Sequence, residues 1–279
     1  WEFLILEGED KKEISKESKI QEFIKPWLEP EEYEIIRTAV YQFHSVLADN
    51  FKKGNCFLIG DAAHQTPPFM GEGMNTGYRD AANLSWKIAL TLTKNLKSSY
   101  LLDTYEKERK PHSKFIVENS SRIGKLMEAY AEADDPDNVP KDLVASGYGS
   151  FITPNLQKGL FFKGKANDSM GVGQLFPQPI ENKDQKIIKR FDDIFGIGFS
   201  IVSKKKIYTT DEDRKFLESL RTTFVVLKDE LLEQNPWLTS FMDYGEIFIL
   251  RPDKYVFGCT SDTVSLEDLI NDLRVRIGE

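Results

Sequence analysis

The sequence predicts a chain of mixed α+β / α/β class in two parts, and three observations carry that prediction. Apolar residues at helical spacing dominate positions 75–130, and short alternating or apolar runs bounded by Gly, Pro and Asn precede them. After residue 170 the rhythm changes to strand, helix, strand, hairpin, helix. The expected division is therefore a first part at 1–130, a linker at 131–170 and a second part at 171–279.

Trp1, Phe3 and Ile5 alternate, so residues 1–7 read as a strand that starts without a polar lead-in, as if continuing a longer sequence. Ile20, Phe23, Ile24 and Trp27 share one face of a helix over 18–27, and Pro30 opens a short helix over 31–37. Residues 40–47 alternate as a strand carrying Tyr41 and His44. Residues 56–59, between the turn Lys53-Gly54-Asn55 and Gly60, read as a buried strand feeding a loop. Ala81, Leu84, Ile88 and Leu92 form the apolar stripe of a helix over 75–93, with Asp80 near its start and Lys94 near its end as the helix dipole prefers. Another helix runs from Tyr100 to about Tyr130 past Pro111, which either kinks it or opens a second one. On it, Glu106-Lys107-Glu108-Arg109-Lys110 reads as a solvated, self-paired face and His112 as helix surface. The polar stretch 134–140, with two prolines, reads as a loop. In the last part, strands at 199–202 and 223–227 flank a helix at 211–220. A hairpin turning at Arg251-Pro252-Asp253-Lys254 follows, then a helix capped by Ser265 with Asp268 three residues on. That order is thioredoxin-like; without a Cys-x-x-Cys pair the domain reads as structural or assembly-related.

The 279 residues are 40% hydrophobic, enough for one large or two smaller cores, and 37 basic against 45 acidic residues give a net charge of −8. Nothing in that balance favours nucleic acid or an anionic membrane, and no apolar run approaches the roughly 20 residues of a spanning helix. The chain reads as cytoplasmic, with Cys56 and Cys259 as buried reduced thiols and no metal site.

The chemistry lies in Gly60-Asp61-Ala62-Ala63-His64, then Pro67-Pro68-Phe69-Met70-Gly71-Glu72-Gly73-Met74-Asn75, then Asp80-Ala81-Ala82-Asn83-Leu84 and Trp86-Lys87. A carboxylate just past a strand can accept hydrogen bonds from a sugar-alcohol hydroxyl, and small residues beside it keep the backbone near a ligand. Gly71 and Gly73 let amides crowd toward a ligand at the start of a helix, where negative charge is stabilised. Such a geometry suits a phosphate or the pyrimidine side of a reduced flavin equally.

The stretch resembles the Gly-Asp motif of the class A FAD-dependent aromatic monooxygenases, in the phenol hydroxylase and 3-(3-hydroxyphenyl)propionate hydroxylase branch, and the similarity continues through residues 101–111, Phe176-Pro177-Gln178-Pro179 and Arg251-Pro252-Asp253-Lys254-Tyr255-Val256. The resemblance implies the C-terminal part of a PHBH-like (p-hydroxybenzoate hydroxylase-like) FAD-binding fold followed by the thioredoxin-like domain. It implies FAD as cofactor, NADH or NADPH as reductant, and oxygen transfer through a flavin hydroperoxide to a small phenolic acid. Gly60, Asp61, Ala62, Pro67, Gly71, Glu72, Gly73, Met74 and Asn75 would face the cofactor, with Asp61 at the ribityl chain. Tyr41, His44, Pro67 and Phe69 are substrate-side candidates, His64 has a structural role, and no catalytic residue is assigned. Analogy with the family points to a homodimer.

The sequence departs from the family in lacking an N-terminal Gly-x-Gly-x-x-Gly unit, so the adenine half of FAD has no expected home. Two rivals follow. One is a non-catalytic binding or assembly module. The other is a nicotinamide-dependent reductase built on Gly71–Gly77, which would need a Tyr-x-x-x-Lys dyad where the nearest spacing is Tyr105 with Arg109.

Overall fold

The computed structural model of the protein describes residues 1–3, 5, 8–96, 99–133, 135–139, 141, 155–164, 171–178, 180–183 and 187–278. Its contacts group them into two compact units, 1–44 and 45–279.

The first unit is small and aromatic. Helix α1 (Lys11–Ile14) starts at Asp10, whose carboxylate accepts the amide of Lys12, and α2 (Glu17–Ile24) follows with Ile24 buried. Trp1 lies against Phe3 and Trp27, and Phe3 stacks on Phe23. Three expectations change here. Of the stretch 1–7, residues 1–3 and 5 form no strand, and residues 4, 6 and 7 lie outside the described set. The helix at 31–37 shortens to one 3-10 turn, Pro30–Glu32. The strand at 40–47 is irregular up to Ser45. Alternation makes a strand only where a ladder partner exists, and no ladder engages 40–45 among the described residues.

In the second unit, β1 (Val46–Leu47) pairs with β4 (His64–Gln65), and β2 (Lys52–Lys53) forms a hairpin with β3 (Cys56–Phe57). Cys56, Leu58 and Ile59 are exposed, so the expected buried strand and buried Cys56 thiol are corrected; Cys259 is buried. Among the described residues, no further strand extends the two-residue hairpin β2–β3 into a sheet. Helix α3 (Gly73–Thr93) packs on α4 (Tyr100–Glu132), which passes Pro111 without dividing. The buried face of α3 is Thr76, Asp80, Asn83, Leu84, Trp86 and Lys87. Of the expected apolar stripe only Leu84 is buried; Ala81 and Ile88 are half-buried and Leu92 is exposed. Polar partners on α4 have drawn the helix round.

Most of the expected linker lies outside the described residues, but 155–164 are packed: Leu156, Leu160 and Phe161 are buried and the amide of Phe162 donates to the carbonyl of Phe257. Next come the hairpin β5 (Ile180–Lys183) and β6 (Ile187–Arg190) and the short helix α5 (Phe191–Phe195). Strand β7 (Ser200–Ser203), helix α6 (Asp211–Ser219) and strand β8 (Thr223–Val226) form the expected parallel unit. After α7 (Asp229–Gln234) and α8 (Pro236–Phe241) comes the antiparallel hairpin β9 (Ile247–Leu250) and β10 (Val256–Cys259), then α9 (Leu266–Ile277). The capping box of Ser265 and Asp268 is in place. The sheet order is β10-β9-β7-β8. Ile201, Ile249 and Phe257 face a core shared with Trp86, Leu101, Leu269 and Leu273, while Val202, Phe248 and Val256 face Phe191, Phe195 and Leu238. Helices cover both faces, which is why these strands are apolar on both sides. Among the described residues, no helix is long and apolar enough to cross a membrane.

Candidate functional site

Strand β3 runs into a 3-10 turn, Gly60–Ala62, whose first residue has φ +55, a conformation glycine adopts without strain. Gly77 of α3 passes directly over it; a Cβ on Gly77 would lie 3.3 Å from the Cα of Gly60. The amide of Gly60 donates to Asp80 Oδ2 at 3.1 Å, and the amide of Ala63 closes the turn on the carbonyl of Gly60. Asp61 and Ala62 remain exposed. Tyr105 donates from α4 to the carbonyl of Leu58 at 2.6 Å, and Glu106 accepts the amides of Phe51 and Lys52.

Pro67 and Pro68 lead into a second 3-10 turn, Pro68–Met70, ended by Gly71 at φ +64 with its amide on the carbonyl of Pro68. From α4, Ser120 donates to the carbonyl of Pro67 at 2.6 Å. The ring of Phe69 lies so close to α4 that a Cβ on Gly124 would meet it at 2.4 Å. Helix α3 then begins at Gly73 with no side chain capping its first amides. Glu72 spends its carboxylate on Arg79 at 2.9 Å, and Met74 and Asn75 are exposed. The turn bearing the exposed Asp61 thus packs against α3 through Gly60 and Gly77, close in sequence to the uncapped helix start, and Leu58, Ile59 and Tyr78, which flank those glycines in sequence, are exposed. Of the other candidates, Tyr41 and His44 belong to the first unit and are exposed; the hydroxyl of Tyr41 donates to Glu2 at 2.9 Å.

Beneath the Gly60–Asp61 turn are charges that local spacing did not reveal. Asp80 Oδ2 meets His64 Nε2 at 2.7 Å and Oδ1 accepts Arg109 Nε at 2.8 Å. Burial alone would raise the Asp80 pKa, but the His64 hydrogen bond and the Arg109 charge outweigh it and hold the carboxyl below its ordinary range. His112, expected on the surface, is buried with Nδ1 on Arg109; burial and then the Arg109 and Arg79 charges push its pKa down to about 2. A neutral ring accepting from a guanidinium is the consequence.

Glu108 and Arg109 likewise overturn the solvated-face reading. Glu108 accepts both ends of Arg251 at 2.9 and 2.7 Å, Lys87 at 2.7 Å, Asn83 at 2.7 Å and the amide of Leu160 at 2.9 Å. Burial works against its ionisation, but the Arg251 and Lys87 charges win and bring its pKa to about 2; for Lys87 burial dominates and lowers it to about 8. Arg251 also pairs with Asp253 at 2.6 Å and lies 5.0 Å from the centre of the Phe161 ring. Asp80 stands in the Gly-Asp motif stretch; Glu108 and Arg109 lie within the matching residues 101–111 but read as a solvated face, and Ser120 carries no signal. Among the described residues no cluster of His, Cys, Asp and Glu could hold a metal.

The family model described as FAD binding domain matches residues 8–120. The chain is 30% identical to a 3-(3-hydroxy-phenyl)propionate/3-hydroxycinnamic acid hydroxylase of Burkholderia vietnamiensis, over 92% of this chain and 53% of that protein. It is 28% identical to a probable NADH-specific resorcinol 4-hydroxylase of Rhodococcus jostii, over 97% of this chain and 52% of that one. The chain thus spans about half the length of these curated relatives. Among solved structures it is similar to chromopyrrolic acid-soaked RebC-10x, with TM-score 0.58 and 25% identity over 82% of this chain and 47% of that one. The flavin-dependent monooxygenase PieE, solved with FAD and substrate, shares the fold at TM-score 0.59 and 19% identity, over 85% of this chain and 50% of that one.

Proposed function

We propose that the chain, whose residues 8–120 match an FAD binding domain, is a member of the FAD-dependent aromatic-ring monooxygenases and carries the flavin-ring side and C-terminal portion of an enzyme that hydroxylates a small phenolic acid with NADH or NADPH and oxygen. The observation that carries this reading is the packing of the Gly60–Asp61 turn on α3 through Gly60 and Gly77, close in sequence to the uncapped helix start.

The residues present fit a flavin. A Cβ on Gly71 would meet nothing within 4 Å and Ala62 is exposed, so a planar ring can approach the backbone. Gly60, Asp61, Ala62, Pro67, Gly71, Glu72, Gly73, Met74 and Asn75 would hold it, Glu72 through its backbone since its carboxylate is engaged. A bound FAD would supply the redox chemistry by which two electrons from the nicotinamide reduce oxygen, one oxygen atom going to the aromatic ring and the other to water. The Asp61 carboxylate accepts hydrogen bonds from the cofactor's hydroxyl chain. The first amides of α3 stabilise negative charge on the adjoining ring edge. Pro67 and Phe69, fixed by Ser120 and Gly124, exclude water from the ring. Tyr41 and His44 are assigned to the substrate side.

The last part of the chain is read as a thioredoxin-like domain without redox chemistry. Support comes from the sheet order β10-β9-β7-β8, with β7 and β8 parallel and the β9–β10 hairpin antiparallel to β7, and from a sequence without a Cys-x-x-Cys pair. Division at 1–130, 131–170 and 171–279, a homodimer and a cytoplasmic site of action belong to the same proposal. The test is turnover by the full-length gene product with FAD, NADH or NADPH, and oxygen, offered 3-(3-hydroxyphenyl)propionate, 3-hydroxycinnamate and resorcinol. A product heavier by one oxygen atom is expected from at least one. Absence of both nicotinamide oxidation and product would favour the non-catalytic module, and nicotinamide oxidation without such a product would contradict hydroxylation of these three phenols.

A further inference from the structure

Asp80 sits on the buried face of α3 with no exposed surface, yet it is ionised and surrounded by donors from three separate segments. The Gly60 amide reaches Oδ2 at 3.1 Å from the turn that carries Asp61, and His64 Nε2 reaches the same atom at 2.7 Å from β4. Arg109 reaches Oδ1 at 2.8 Å from α4, and its other nitrogens meet the carbonyl of Thr76 at 3.5 Å and His112 Nδ1. An apolar side chain would fill the same gap without burying a charge. What a carboxylate adds is direction, because it can hold an amide, an imidazole and a guanidinium at once in fixed geometry. The amide it holds belongs to the residue immediately before Asp61, at a glycine whose φ of +55 brings the turn under Gly77.

We propose that Asp80 is a positioning residue for the cofactor site: it ties the Gly60–Asp61 turn to the first turns of α3, so that the Asp61 carboxylate and the helix amides are presented as one preformed surface. The inference rests on the flavin reading above. Arg109 is the counter-ion that keeps Asp80 charged, and His64 locks the far end of the turn.

The test compares Asp80→Asn with Leu273→Ala, a core truncation in α9 remote from the edge, in the full-length gene product. Amide hydrogen exchange of the FAD-free protein is read first. Asp80→Asn is expected to speed exchange at 58–65 while leaving 200–203 protected, and Leu273→Ala is expected not to affect 58–65 selectively. FAD titration follows, with Asp80→Asn expected to weaken binding about 10-fold or more and to alter the flavin's visible bands, and Leu273→Ala to do neither. Unchanged exchange at 58–65, or faster exchange with wild-type affinity and spectrum, overturns the proposal. If the wild type binds no FAD, the flavin reading fails and the cofactor role of Asp80 fails with it, while the exchange data still decide whether Asp80 holds the turn. Should Asp80→Asn not accumulate as folded protein, Arg109→Lys, which keeps the charge but loses the fork, is read in the same way.

Discussion

Strands β7 and β10 run four residues each with every side chain buried, whereas the strands leading to the candidate site, β1 to β4, run two residues each and leave most side chains half-buried or exposed. The sheet is held by apolar area on both faces. The loop edge is held from below by Asp80 with Arg109, and α3 and α4 are tied to the β9–β10 turn by Glu108 with Arg251 and Lys87. A site that must keep its outer surface free for a ligand has no second apolar layer, and buried charge pairs supply the missing order at a desolvation cost.

The largest expected effect strikes that charge system. Glu108→Ala leaves Arg251 and Lys87 without their shared carboxylate in a dry interior, and should cost about 3–5 kcal/mol in urea unfolding. A loss under 1 kcal/mol, of the order of an exposed pair, would mean the network is ornamental.

Acid should act on the same region next. His112 titrates at 6.5 when free and at about 2 in the fold, so below pH 6.5 the unfolded chain binds a proton that the folded one refuses. Glu108, lowered from 4.5 to about 2, adds stability above 4.5 that is lost as pH falls toward 2. The urea midpoint should therefore decline from pH 6.5 downward and more steeply below 4.5. His112→Gln should flatten the upper part of that decline, and an unaltered slope would rule out His112 as its source.

Ile201→Val removes one methylene from the sheet and is expected to cost about 0.5–1.5 kcal/mol with FAD affinity unchanged. A shift in affinity would show that the two regions are not held independently. Smallest of all, Lys205→Ala breaks an exposed pair with Glu246, and the thermal midpoint should not move.

The same contrast explains what could be read from the sequence. The parallel β7–α6–β8 unit, the β9–β10 hairpin and the Ser265 cap are local or apolar signals, and they were legible within a residue or two. Helix α3 was legible in extent but not in facing, because its buried side is set by Asp80, Asn83 and Lys87, whose partners lie on α4 and beyond. Glu106-Lys107-Glu108-Arg109-Lys110 looked self-paired, yet Glu108 meets Arg251, 143 residues away. No short-range spacing encodes such a pair. Strand-like alternation at 40–45 misled for the converse reason: a pattern was present, but no ladder engages it among the described residues. The motif at Gly60–Asn75 was legible as a unit because glycine and proline mark backbone requirements that do not depend on distant partners.

FAD titration of the full-length gene product, followed by flavin absorption and fluorescence, decides whether Asp61 and the start of α3 form a flavin surface. Saturable binding is expected, weakened about 10-fold or more by Asp61→Ala without lowering the thermal midpoint of the FAD-free protein. Binding of equal strength in both, or no binding in either, would contradict that surface.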